Sequence, residues 1–383
     1  MGFIILLMLI GAALHWVAPG LVEGGMNENL PHKDYVINEE AQSLHRSLFV
    51  ADLHADSLLW KRDLLKRSER GHLDLPRLLS GNVALQVFSA TTKSPAGLNY
   101  EINEAVSDDI TKLALAQFWP PATWTSLFAR AEYQLDKLKG FADASEDRLR
   151  LITSAAELRA LIKKRNDGDK VVGAVYLIEG AHPLEGKVDN LNRLFDQGLR
   201  VMGLVHFFDN ELGGSLHGLS RAGLTEFGRA AVKRANELNV IIDVAHSSPK
   251  MVREVLELST KPVILSHGGV IGKCDKNRNL SDELMRSIAE KGGLLGVGYW
   301  DGAVCDTSPE GIVSSIRYAI DLMGEDHVSL GSDYDGAVAV AVDTSELAVL
   351  TQTMLQQGFT EQEIRKVMGL NAQRFFLDNL PMN

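Results

Sequence analysis

The sequence predicts an α/β chain folded as a (β/α)8 TIM-like barrel, with a helical insertion between strands 2 and 3. Three observations carry that expectation. Eight short runs of almost continuous apolar character alternate with helix-like segments, as parallel strands covered by helices do. Eight such strands can close on themselves, which favours a barrel over an open doubly wound sheet. Acidic and imidazole side chains follow these runs, and barrels of this kind gather their chemistry at the carboxyl ends of the strands.

The expected strands are 48–53, 83–88, 171–178, 201–205, 240–244, 263–265, 294–298 and 328–330. Residues 23–45 are polar and mixed, and read as a linker plus a first helix. The stretch 91–150, with Trp119 and Trp124 and no clear strand, is the helical insertion. Several helices announce their ends. Ser154 with Glu157 and Thr360 with Glu363 have the spacing of capping boxes. Ser308-Pro309 opens a helix that Gly324 closes. Within 223–238, Leu224, Phe227, Ala231, Ala235 and Leu238 form one apolar stripe.

Composition narrows the function classes. With 45% hydrophobic and 23% charged residues the chain is an ordinary globular protein. A net charge of −11 without a basic stripe argues against nucleic acid as a partner. Residues 3–22 carry no Asp, Glu, Lys or Arg, and about 20 apolar residues can span a bilayer. No Lys or Arg precedes the run, so an uncleaved membrane anchor is expected rather than a cleaved signal. The division is then 1–25 as anchor or signal segment and 26–383 as one barrel domain, with the catalytic part periplasmic or extracytoplasmic. Cys274 and Cys305 are too few for a disulfide framework or a Cys-rich metal site, and are read as two free thiols.

The candidate site comes from strand geometry. Side chains at i and i+2 share a face of a strand, so His54 and Asp56 can bind one ion together. Glu179, His246 and His267 each follow a separate apolar run, and Asp333 ends another. Imidazole and carboxylate donors of this kind suit zinc. Two dications about 3.5–4 Å apart share a hydroxide at neutral pH, because they lower the pKa of bound water to about 7.

An ordered set of motifs then resembles a known family. DLHADSL at 52–58, HLDLPRL at 72–78, IEGAH at 178–182, GLTEFGR at 223–229, IIDVAHSS at 241–248, SHGG at 266–269, RNLSDE at 278–283 and GSDYDG at 331–336 are similar to the membrane (renal-type) dipeptidases of the amidohydrolase superfamily. The resemblance covers roughly residues 48–377. It implies two Zn2+ per chain: His54 and Asp56 on the first, His246 and His267 on the second, and Glu179 bridging both. It implies Asp333 as general base then acid, His206 as the group that polarises the substrate carbonyl, and Arg278, with Asn279 beside it, as binders of the substrate carboxylate. The implied reaction is hydrolysis of dipeptides by a metal-bridging hydroxide. A second copy of the chain is a candidate partner.

The loops at 206–218 and 298–306 depart from better-known members, so neither Tyr299 nor Trp300 is assigned a substrate contact. N-acyl amino acids or another small amide or lactone are the alternative substrates. A membrane-tethered binding protein with an inactive barrel is the reading from another class, and a complete ligand set disfavours it. His182 is expected to orient a ligand rather than bind metal, His72 and Asp74 to be structural, and His15, His32, His45 and His327 to have no role in the chemistry.

Overall fold

Eight parallel strands close on themselves in the computed structural model, which describes residues 17–383. They are β1 (Val50–Ala55), β2 (Val83–Thr91), β3 (Val172–Glu179), β4 (Leu199–Gly203), β5 (Ile241–Asp243), β6 (Ile264–Gly268), β7 (Leu294–Val297) and β8 (Val328–Leu330). Each pairs with its neighbour in sequence, and β8 pairs with β1 through Leu330 and Asp52. A short strand, Leu149–Leu151, lies against the start of β3. The ring is therefore the expected (β/α)8 barrel.

Alternation along β1 divides the chemistry from the packing. Ala51 and Leu53 share a buried cluster with Phe375 and Phe376 of the C-terminal helix Asn371–Asn379. Asp52 and His54, one residue out of phase, point the other way, to polar partners on β2, β3 and β6. Fully burying an aliphatic or aromatic side chain stabilises the fold by about 1.5–3 kcal/mol. That outer apolar layer can therefore offset the cost of a polar interior.

Helices start where the sequence signals them. Both expected capping boxes form, Ser154 with Glu157 and Thr360 with Glu363. Ser308 caps the helix Pro309–Met323, which Gly324 ends. Three other helices matter to the site. They are α1 (Ala18–Met26), ahead of the barrel, and α2 (Asp109–Ala116) and α3 (Leu127–Ala144) in the insertion after β2. Arg130 of α3 ties the insertion to the barrel. Its guanidinium donates to Thr92 O at 2.7 Å and Thr123 O at 2.7 Å, and pairs with Asp108 at 2.6 Å.

Some expectations are corrected. Cys274 and Cys305 are not free thiols; they form a disulfide. The bond joins the loop after β6 to the short helix Asp301–Val304 after β7. Strand ends also shift. β2 runs on to Thr91 and β6 to Gly268, so His267 sits within its strand rather than beyond it.

Most of the apolar run 3–22 lies outside the described residues. Its last part, from Ala18, belongs to α1, which straddles the 25/26 boundary and docks on the barrel through buried Pro19 and Glu23. Among the described residues no helix is long and apolar enough to cross a membrane.

Candidate metal centre and active site

The five expected ligands converge on one carboxylate. Glu179 Oε1 lies 3.4 Å from His54 Nε2, 3.2 Å from His246 Nε2 and 3.5 Å from His267 Nε2. Asp56 Oδ2 is 3.5 Å from His54 Nε2, and the Nε2 atoms of His246 and His267 are 3.1 Å apart. All five side chains are buried. They come from β1 and the residue after it, the last position of β3, the turn after β5, and β6. Only barrel closure brings them together.

One of these ligands and the nearby Asp333 are conformationally unusual. His246 and Asp333 have φ of 61° each, a left-handed backbone rare outside glycine. Strain of that kind costs about 1–3 kcal/mol and persists where the surroundings fix it. Gly336 helps fix Asp333: a Cβ there would meet Asp333 Oδ1 at 2.1 Å.

Electrostatics point to missing positive charge. Burial disfavours a proton on His54, yet Glu179, Asp56 and Asp333 together outweigh it and raise its pKa to about 10. His54 Nε2 is nevertheless buried without a hydrogen-bond partner. Burial, reinforced by the charge of Asp56, pushes Glu179 well above the usual carboxylate range. Asp333 rises to about 8 for the same first reason, despite His54. His246 and His267 are held neutral, chiefly by burial and then by neighbouring cationic groups. Neutral imidazoles facing crowded carboxylates are what a dication requires of its donors. The residues fit the metals that the sequence implies.

A layer behind the ligands escaped the sequence reading. Ser266 Oγ donates to Asp243 Oδ2 at 2.5 Å and lies 2.9 Å from His267 Nδ1 and 3.2 Å from His54 Nδ1. Thr91 Oγ1 is 3.0 Å from both Asp56 Oδ1 and Glu179 Oε2. Asp52 accepts from Gln86 Nε2, His54 N and both Ser332 N and Ser332 Oγ, so it braces β1, β2 and the end of β8. Asp52 sits two residues before His54, a signal that strand alternation offers.

The remaining candidates divide. His206 Nε2 lies 3.2 Å from Glu179 Oε2, and burial lowers its pKa to about 4. Arg278, only 2% exposed, donates to His267 O at 3.0 Å and lies over the Trp300 ring at 5.5 Å. No carboxylate of the described residues is within ion-pairing distance of it. Asp56, Glu179, His206, His246, Arg278 and Asp333 all line one cavity of about 630 Å3, and so does Trp300. Tyr299 does not; it packs on Tyr334 instead.

Asn279 does not reach the cavity either. Its amide donates to Cys274 O at 2.8 Å and Ala303 O at 3.0 Å, beside the disulfide. His182 is buried and packs on Phe208. The backbone N–H of His72 donates to Asp335 Oδ1 and that of Asp335 to His72 Nδ1, and Asp74 caps the helix Leu75–Ser80.

The family described as Membrane dipeptidase (Peptidase family M19) matches residues 38–379. The chain belongs to this family. Its members are metallodipeptidases, and so is this hydrolase. A Klebsiella pneumoniae relative, described as an uncharacterized protein in the pqqA 5' region, is 32% identical over 256 residues, 63% of this chain and 93% of its own length. Dipeptidase verJ of Clonostachys rogersoniana is 26% identical over 310 residues, 79% of this chain and 74% of its own. A solved metallopeptidase of Rhodobacter sphaeroides, bound to a phosphinate mimic of L-Ala-D-Ala, superposes with a TM-score of 0.69 at 25% identity, over 87% of this chain and 99% of its own.

Proposed function

We propose that this metallodipeptidase cleaves dipeptides with two zinc ions held by His54, Asp56, Glu179, His246 and His267. The observation that carries the reading is the convergence of three imidazole Nε2 atoms within 3.5 Å of the single oxygen Glu179 Oε1. When bound, a pair of dications polarises the scissile carbonyl and acidifies a water to near neutrality.

The chain's own groups do the rest. Asp333, buried and bordering the cavity beside the ligands, can accept a proton and release it. It takes the proton of the attacking water at a carboxylate oxygen and returns it to the leaving amine, as base and then acid. His206 stays neutral and can donate a hydrogen bond where negative charge develops; one such donor contributes about 3–4 kcal/mol. Arg278 is a buried cation lacking a carboxylate of its own, and a substrate C-terminus supplies one. That contact favours dipeptides over longer chains. Asn279 serves this role indirectly, by tying the Arg278 loop to the segment after β7.

The disulfide supports an oxidising, extracytoplasmic location, with the part of the apolar run ahead of α1 as the tether. The R. sphaeroides relative, bound to a dipeptide mimic, supports the substrate class.

The test is turnover of a panel of L-Xaa–L-Xaa, L-Xaa–D-Xaa and N-acyl amino acid substrates by zinc-loaded wild type and Asp333→Asn. Dipeptide cleavage that falls at least 100-fold in the variant, with zinc content unchanged, is expected. Full activity of Asp333→Asn would remove its proton-carrying role.

A further inference from the structure

The cavity at the converging ligands extends well past them. Its volume of about 630 Å3 is in the range that encloses drug-sized ligands rather than the smallest dipeptides. The far part is apolar. Pro19, Val22 and Met26 of α1 line it, with Leu98 before α2 and Ile110 and Leu113 on α2. Val22 and Met26 each keep 46% of their surface accessible at this wall.

The helix that carries them is firmly held. Glu23 is 1% exposed and pairs with Arg62 Nε at 2.5 Å and Arg70 Nε at 3.4 Å. Arg62 pairs in turn with Asp335, two residues after Asp333. Asn27 Oδ1 accepts from Ala337 N at 2.8 Å, and Glu28–Asn29 pairs as a strand with Ala339–Val340. The segment is thus clamped to the same loop that bears Asp333.

We propose that α1 and the insertion form a specificity wall, which selects substrates carrying a large apolar group on the acyl side of the scissile bond. That group is a bulky N-terminal side chain or an N-acyl chain. The side follows from the layout. Arg278 sits with His246, His267 and Trp300, whereas the wall joins the centre at Asp56 and Asp333: Leu59 and Trp60, just after Asp56, pack with Ile110 of α2, and Ala337 in the Asp333 loop donates to Asn27 at the end of α1. An apolar group opposite the carboxylate therefore reaches the wall. The proposal rests on the dipeptidase reading, and its test separates the two.

The experiment uses the full zinc-loaded chain and compares kcat/KM for Gly–Ala and Leu–Ala, with L- and D-alanine at the second position. Selectivity for the larger residue should rise about three- to fourfold per buried methylene, so the Leu/Gly ratio exceeds about tenfold. It should collapse toward one in Met26→Asp on α1, and in Leu113→Asp on α2. Circular dichroism confirms folding, and either variant suffices if the other misfolds. A flat ratio in the wild type, or an unchanged ratio in a folded variant, overturns the wall while leaving the dipeptidase reading intact.

If no dipeptide is cleaved, the dipeptidase reading fails. Calorimetric binding of acetyl-, hexanoyl- and octanoylglycine then still decides the wall. Affinity that grows with chain length and is lost in Met26→Asp supports it; equal affinities overturn it.

Discussion

A serine hydroxyl has one hydrogen to donate, and Ser266 gives it to Asp243, a carboxylate that can only accept. Its oxygen is then left to accept from the Nδ1–H of His267, at 2.9 Å, and of His54, at 3.2 Å. The proton is thereby placed on Nδ1, which leaves Nε2 free to face the centre. Ser266→Ala should weaken zinc affinity about 10- to 100-fold, measured by competition with a chelator, without unfolding the protein. Unchanged affinity would show that packing alone orients the rings.

The ligands themselves were legible in the sequence, because His54 and Asp56 obey strand alternation and the others follow apolar runs. Ser266, Thr91 and Asp243 were not. Small hydroxyl and acidic residues at strand ends most often just satisfy local backbone, and nothing in one dimension tells the two uses apart.

His45 offers a residue-scale check away from the chemistry. Burial lowers its pKa from 6.5 to about 4, opposed by its contact with Gly81 O. The unfolded chain therefore binds the proton more readily. The stability this group contributes is present above pH 6.5 and is lost as pH falls toward 4. Between about pH 7 and about pH 4.5, urea unfolding of wild type should lose on the order of 2–3 kcal/mol more than that of His45→Gln. Parallel losses would place the acid sensitivity elsewhere.

At the scale of elements, the loops after β6 and β7 decide where Arg278 lies. The Cys274–Cys305 bond and the Asn279 amide clamp them together at neighbouring points. The free-thiol expectation failed because two cysteines 31 residues apart say nothing about whether the fold returns one loop to the other. Closing a loop of this size contributes about 2–4 kcal/mol. The double variant Cys274→Ser/Cys305→Ser should be destabilised by about that amount in thermal or urea unfolding. It should also show a raised KM for dipeptides with a free carboxylate and a smaller change in kcat. Equal KM values would mean that the loop keeps Arg278 in place unaided.

Over the whole molecule, the barrel was the most legible feature. Eight apolar runs separated by capped helices leave few other ways to bury every strand. Strand limits were less so, since β2 and β6 continue through polar residues (Ser89 and Thr91, Ser266 and His267) that only an enclosed polar interior can accommodate. The docking of α1 was hidden for a different reason. Its first residues close an uncharged run, and the carboxylate that anchors it, Glu23, finds Arg62 and Arg70 only after the chain has folded.

The account as a whole depends on remote strand ends meeting at Glu179. Anomalous scattering at the zinc edge, from crystals of the zinc-reconstituted protein, tests that meeting most directly. The expected result is two peaks astride the Glu179 carboxylate, one beside His54 and Asp56 and the other beside His246 and His267. A single peak, or a pair that Glu179 does not join, would contradict it.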